Sequence, residues 1–304
     1  MNNQHNQEND LQISSSCEAN GIFQIWHVII FALISVTAWA YWPVIINLFK
    51  DWQSDDDYSA GQIVPIIAVF LVWKERKKLM ECGFHPFWPG LFLLIFAQVI
   101  KTYGFLFIYE SAERYSLVFM IAGLILTIAG GKVFKKSIWI LSFLFLMVPF
   151  PGRIHNLISE PLKQAATSGS VFLLEAFGAN ISRQGNIVTL NHRAAMAVEE
   201  ACSGLRMLTA FIIVAAFIAY MIKRSRTQKA VLLFSSIPVA VICNILRLCI
   251  TAVLFMLVSS QTAEKFFHDF AGITMMPAAV ILMFSELWLL EKLTSVENDE
   301  IEHS

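Results

Sequence analysis

Long apolar runs, separated by short loops rich in lysine and arginine, fix the environment of this chain before any motif is read. A helix of about 20 apolar residues spans the roughly 30 Å of bilayer hydrocarbon. Eight runs are candidates: 22–48, 61–73, 87–108, 115–129, 137–150, 204–222, 230–257 and 270–290. The second is short and stops at Lys74-Glu75-Arg76-Lys77-Lys78, and the third contains Lys101 and Tyr103. Composition agrees, with 57% of the 304 residues hydrophobic and 15% charged, against about 25% charged in soluble domains. A cytosolic globular fold, a disulfide scaffold and a disordered chain are excluded. The net charge of −1 leaves no basic excess to hold nucleic acid. The expected fold is an all-α polytopic membrane protein of about eight transmembrane helices, with a small extracytoplasmic segment between spans five and six.

Orientation follows from the lysines and arginines of short loops, which stay in the cytoplasm. Lys74, Arg76, Lys77 and Lys78 follow span two. Lys132, Lys135 and Lys136 follow span four, and Lys223, Arg224, Arg226 and Lys229 follow span six. An eight-span path puts all three clusters on one side. Both termini are then cytoplasmic, while the acidic loop 51–57 and the segment 151–200 are extracytoplasmic. The domain plan is a polar cytoplasmic tail over 1–20, a transmembrane domain over 21–291 and a second tail over 292–304, in the cell membrane. No cleavable signal peptide is expected, because the first apolar run is long and lacks a small-residue cleavage site.

Within the outer segment, Pro151-Gly152 marks a turn. Ile158, Leu162, Ala165, Phe172 and Leu173 recur among polar residues and predict an amphipathic helix lying on the membrane. Gly185-Asn186, flanked by Ile181, Ile187, Val188 and Leu190, predicts a hairpin. The Asp55-Asp56-Asp57 run reads as a solvated loop, with divalent-cation binding as the alternative. The five cysteines are Cys17, Cys82, Cys202, Cys243 and Cys249. They form no CxxC, so neither a zinc site nor a redox pair is indicated. No cofactor and no resident metal are expected.

Three residues carry chemistry. Cys202 lies in Glu199-Glu200-Ala201-Cys202-Ser203-Gly204-Leu205-Arg206, at the outer mouth of span six. A helix N-terminus favours a thiolate, and Arg206, one turn on, adds positive charge. The bland alternative is a small packing residue. Arg247 sits inside an apolar run, a position that marks function by default. Counted from Ala230 at 1.5 Å per residue, it lies about 26 Å up the helix, near the outer surface. Its alternative is a snorkelling anchor. His268 precedes span eight on the same side, where a helix N-terminus disfavours imidazolium and keeps a neutral base available. Spans six, seven and eight therefore bring a thiol, a guanidinium and an imidazole to one membrane level, expected in one outward-facing cleft. These are the parts of an acyl-transfer site. Glu199 and Glu200 either orient Arg206 or Arg247 or are solvated interfacial charges. Asn244 either bonds Arg247 or makes a polar helix–helix contact. Cys243 and Cys249 read as packing residues.

At these residues the sequence resembles the exosortase/archaeosortase family of polytopic membrane cysteine enzymes. The resemblance rests on Glu200 to Arg206, on Asn244-Ile245-Leu246-Arg247 and on His268 to Gly272. It extends to Arg183-Gln184-Gly185-Asn186-Ile187-Val188 and covers most of residues 58–290. Where many members carry Ser-His-Gly, this chain has Ser59-Ala60-Gly61, so that loop is assigned no catalytic role. The resemblance implies that Cys202 attacks the scissile carbonyl to form a thioacyl enzyme. His268 would act as general acid or base and Arg247 would stabilise the oxyanion or orient the substrate, with Glu200, Ser203, Arg206 and Asn244 in support. The implied substrates are exported proteins ending in a short motif (often Pro-Glu-Pro), an apolar helix and a basic tail. Water or an amine or glycan-type envelope acceptor would complete the reaction. Membrane lipid would be the other partner, and no accessory domain is expected after span eight.

Two rival readings remain open. Ala201-Cys202-Ser203-Gly204 faintly resembles the Gly-x-Ser-Gly of rhomboid serine proteases, which would make Ser203 the nucleophile. A transporter or scaffold for envelope polymers would instead carry its charges at mid-membrane.

Overall fold

The computed structural model describes residues 28, 30–83, 85–184, 187–190, 194–197, 204–257 and five positions between 281 and 288. Among them are eight α-helices, here α1 (Ile30–Ser54), α2 (Ile63–Met80), α3 (Gly90–Leu106), α4 (Glu110–Ile128), α5 (Gly131–Leu144), α6 (Gly152–Ala176), α7 (Gly204–Met221) and α8 (Arg226–Leu257). Three short strands, β1 (Ile181–Gln184), β2 (Ile187–Leu190) and β3 (Ala194–Ala197), form an antiparallel sheet in that order. Helices α1, α4, α7 and α8 are long and apolar enough to cross a membrane. Helices α5 and α6 would make a fifth span if taken as one element bent by 80°. The chain is thus a predominantly helical, polytopic membrane protein. Among the described residues there are four or five candidate spans, where the sequence predicts eight over the whole chain. Helix α3 is a shorter apolar helix, α2 ends in the charged run 74–78, and the run 270–290 lies largely outside the described residues.

The chain divides into two units, residues 1–48 with 77–136 and residues 49–76 with 137–304. In the first, α3 and α4 form an antiparallel hairpin that glycines bring into close contact. A Cβ at Gly123 would lie 2.7 Å from Leu94 Cδ2, and one at Gly104 would lie 2.7 Å from Glu113 Cγ. In lipid, where burial of apolar surface drives little association, small residues let helices gain dispersion contact. The lysine inside the third apolar run also has a local role. Lys101 Nζ donates to the Ala40 carbonyl and lies 4.5 Å from the centre of the Tyr41 ring.

In the second unit α7 packs along α8, with Leu205, Leu208, Phe211, Ala215 and Ala219 against Leu232, Ala240 and Cys243. Helix α6 packs on α8 through Ala166, Leu174, Leu248 and Ala252. The amphipathic helix expected after Pro151-Gly152 is present, but its buried face differs from the predicted stripe. Ser159, Ala166, Thr167, Ser170 and Leu174 point inward, whereas Phe172 is 71% exposed and Ala165 is exposed. Small and hydroxyl side chains suit close contact between helices in lipid, while of the predicted stripe Ile158 and Leu162 still pack, half-buried, on the α7–α8 core. The predicted hairpin is also present. Gln184 pairs with Ile187 across residues 185–186, while β3 adds a strand that its Ala-Ala-Met-Ala sequence does not announce.

The acidic segment differs most from expectation. Asp51 lies within α1, and Asp56–Gln62 form a 3-10 helix capped by Asp55, whose carboxylate accepts the Asp57 N–H at 2.9 Å. Trp52 Nε1 donates to the Met147 carbonyl at 2.9 Å and tethers the segment to the end of α5. The 3-10 helix then packs on the first turns of α7, and Tyr58 joins the α7–α8 core.

Candidate active site

Helices α6, α7 and α8 and the acidic 3-10 helix converge around the N-terminal end of α7. Asn244 and Arg247 lie one turn apart on α8 and are 1% and 6% exposed. Arg247 is therefore buried rather than snorkelling. The Asn244 carboxamide abuts the first residue of α7: a Cβ at Gly204 would lie 3.2 Å from both Asn244 Nδ2 and Leu162 Cβ. Among the described residues, nothing donates a hydrogen bond to Asn244 Oδ1. A buried acceptor left this way costs about 1–3 kcal/mol.

Arg206, on the first turn of α7, pairs with the Asp56 carboxylate. Arg247 lies near enough to act on it electrostatically. Thr209 Oγ1 lies 3.2 Å from the Asp57 carbonyl and 3.0 Å from that of Arg206, and so ties the 3-10 helix to α7. On the other side, Tyr58 Oη and His155 Nδ1 of α6 are 2.7 Å apart. His155 Nε2 lies 3.8 Å from Asp57 Oδ2. Burial raises the Asp57 carboxyl above the ordinary carboxylate range, and Asp55 adds to the rise. His155, Lys163 and Arg247 pull the other way.

The Asp55-Asp56-Asp57 run is therefore part of a capped 3-10 helix rather than a loop: Asp55 and Asp56 are exposed, as expected, and Asp57 turns inward. It supplies two carboxylates to a cluster of like and unlike charges. Among the described residues, no group of His, Cys, Asp and Glu is arranged to hold a metal ion. Of the residues singled out in the sequence, Arg206, Asn244 and Arg247 come together at this one end of α7 and α8. Cys202, Ser203, Glu199, Glu200 and His268 lie outside the described residues. Cys243 is 7% exposed and packed in the α7–α8 core, and Cys249 Sγ faces the Ser170 carbonyl at 3.8 Å. Both are packing residues. Sequence reasoning missed Asp56, Asp57, Tyr58 and His155. The Tyr58–His155 contact spans 97 positions, so no local spacing announces it.

A helical membrane protein with buried arginine and asparagine at one end of two packed spans defines a class of integral membrane proteins with a polar site at the edge of the apolar layer. The family model described as transmembrane exosortase (EpsH) matches residues 52–285, a stretch that takes in every element of the cluster. The chain belongs to the transmembrane exosortase family. Comparison with curated proteins and with solved structures found no match. The family is generally regarded as one of cysteine peptidases, and its members process proteins carrying PEP-CTERM signals.

Proposed function

We propose that this chain is a membrane-embedded cysteine protease or transpeptidase that cleaves the C-terminal sorting signals of exported proteins on the extracytoplasmic side of the membrane. The observation that carries the reading is the convergence of buried Arg247 and Asn244 with Arg206 at the start of α7, two residues after Cys202 in the sequence. Two peptide links reach about 7 Å at most, so residue 202 belongs to the same neighbourhood by covalent geometry.

In this reading Cys202 gives its thiol proton to His268, the thiolate attacks the scissile carbonyl, and Arg247 balances the charge that develops on the carbonyl oxygen. Collapse breaks the C–N bond. His268 supplies the proton to the leaving amine, which departs with the apolar helix and basic tail of the substrate. The thioester is then opened by water or by an amine of an envelope acceptor, which restores the thiol. Glu200 and Ser203 support this site as neighbours of the nucleophile. The acidic 3-10 helix shares Arg206 with the nucleophile and moderates its effect on the thiol.

The test compares C-termini of envelope proteins in cells carrying the wild-type chain, Cys202→Ala or Ser203→Ala. A set of proteins that keeps its C-terminal hydrophobic tail with Cys202→Ala and loses it with Ser203→Ala supports the reading. Identical C-termini at matched protein levels overturn it in favour of transport or scaffolding. Loss of processing confined to Ser203→Ala overturns it in favour of a serine protease.

A further inference from the structure

Helices α2 and α7 reach one level together and carry an excess of cations there. Two contacts one turn apart fix that level. The ring centres of Phe70 and Phe217 are 6.3 Å apart, and Lys74 Nζ lies 3.0 Å from Met221 Sδ. A short connection then leads into α8. Over residues 73–76 and 222–229 the chain has Lys74, Arg76, Lys223, Arg224, Arg226 and Lys229 against one acid, Glu75. All six cations but Lys229 are exposed. The charge rule accounts for the side of the membrane on which such residues lie, but not for what they meet. A thioether is a weak acceptor for the Lys74 ammonium. Arg226 and Lys229 belong to the first turn of α8, which holds no acid, and cations are disfavoured at that end of a helix dipole. An anion relieves both.

The neighbouring surface decides which kind of anion. Trp73 is 60% exposed and holds the Arg76 guanidinium 4.3 Å from its ring centre. Tryptophan favours the headgroup level of a bilayer. Phe70 of α2 and Val231 and Phe234 of α8 are exposed as well. The cations therefore border apolar surface. A ligand with a phosphate head and acyl chains satisfies both parts, whereas free phosphate satisfies one.

We propose that the ends of α2 and α7 and the start of α8 form a binding site for anionic phospholipid. The phosphate lies against Lys74, Lys223 and Arg226, and the acyl chains run along Phe70, Val231 and Phe234. A zwitterionic headgroup brings its own cation into the cluster, so the site selects lipids of net negative charge. Bound lipid bridges α2 to the α7–α8 pair. The site is independent of the peptidase reading, because it lies at the opposite end of α7 from Arg206.

The test uses purified full-length protein in maltoside micelles, titrated with dioleoylphosphatidylglycerol or dioleoylphosphatidylcholine, with bound lipid counted by native mass spectrometry. Each cation near an anionic lipid contributes about fivefold in affinity, and three contribute about a hundredfold. The wild-type chain is expected to bind phosphatidylglycerol about a hundredfold more tightly than phosphatidylcholine. Lys74→Gln/Lys223→Gln/Arg226→Gln should bind the two alike. Lys132→Gln/Lys135→Gln/Lys136→Gln removes the same charge elsewhere and should keep the preference. Equal binding of both lipids by the wild-type chain overturns the proposal. So does a preference that survives the first variant, or one lost equally in the second.

Should the first variant fail to fold, two measurements on the wild-type chain decide. Raising the salt from about 50 to about 500 mM should weaken phosphatidylglycerol and spare phosphatidylcholine, because screening shortens the reach of exposed charges; insensitivity overturns the proposal. Inorganic phosphate, compared at matched ionic strength, should displace little phosphatidylglycerol, since it lacks acyl chains. Full displacement would mean a site for free anions and overturn the assignment to lipid.

Discussion

Arg247 holds its position because charges of both signs surround it. It lies within electrostatic reach of Asp57 and Arg206 while only 6% exposed. A guanidinium presents a planar fork of donors there, whereas lysine offers a point charge. Arg247→Lys is therefore expected to lower the rate of thioester formation on a processed substrate by about 10²–10³, the usual effect of losing an oxyanion partner. A rate within threefold of wild type, read by single-turnover capture of the thioester, would remove Arg247 from the chemistry. Asp57 invites a different test. Its folded carboxyl is raised, chiefly by burial. Below the unfolded-state value of about 3.9 both states hold the proton. As pH rises from there through the raised folded value, only the unfolded chain gives the proton up, so the folded state loses stability. Asp57→Asn should melt like wild type near about pH 3.5 and above wild type near about pH 7. A variant that melts lower at neutral pH would show that the ionised carboxylate, through His155, is worth more than its burial costs.

At the scale of elements, close helix contact depends on missing side chains. A Cβ at Gly123 would press on Leu94 at 2.7 Å from its side chain and 3.1 Å from its backbone nitrogen. Gly123→Ala is expected to destabilise the α3–α4 hairpin by about 1–3 kcal/mol, as overpacking does. Gly131, at the start of α5, has nothing within 4 Å of the equivalent point. Gly131→Ala should be neutral or stabilising by up to about 1 kcal/mol, from helix propensity alone. Thermal unfolding of both variants in one detergent checks the contrast, and equal shifts would refute the packing account. Helix α6 teaches a related lesson. Its helical period was legible as an apolar stripe toward the membrane, while the face that packs on α7 and α8 was not. That face mixes small and hydroxyl residues with Ile158, Leu162 and Leu174, because in a bilayer small residues allow close helix contact and large apolar side chains lose nothing by facing lipid.

At the scale of the whole molecule, the two ends of the second unit differ in chemistry. Helix α7 starts at the Arg206–Asp56 pair and ends at Met221, whose sulfur lies 3.0 Å from Lys74 Nζ. Eighteen residues of helix put about 27 Å between those ends, close to the thickness of the hydrocarbon. In the first unit, Lys136 Nζ donates to the Lys78 carbonyl at 3.1 Å. We expect the ends that carry these lysines to be cytoplasmic by the charge rule. Single cysteines at Asp55 and Lys77 are introduced into a chain with its own cysteines replaced. In intact cells a membrane-impermeant maleimide should label Asp55→Cys and spare Lys77→Cys, which should react only once the cells are opened. Labelling of both in intact cells would overturn the arrangement.

Much of this protein was legible in its residues. Membrane residence follows from apolar length, and the hairpin from Gly185-Asn186 with its flanking strands. The family follows from Glu200 to Arg206 with Asn244 and Arg247, because a motif that mixes thiol, cation and amide at a helix start is rare and local. What the sequence could not supply was who meets whom across long separations. The acidic run became part of the polar cluster because Trp52 anchors it and α7 packs against it. His155 entered that cluster from a helix 97 positions beyond Tyr58. Such pairings depend on how tightly helices approach, and that distance is set by side-chain volume at the contact, which only the folded packing of α6, α7 and α8 decides.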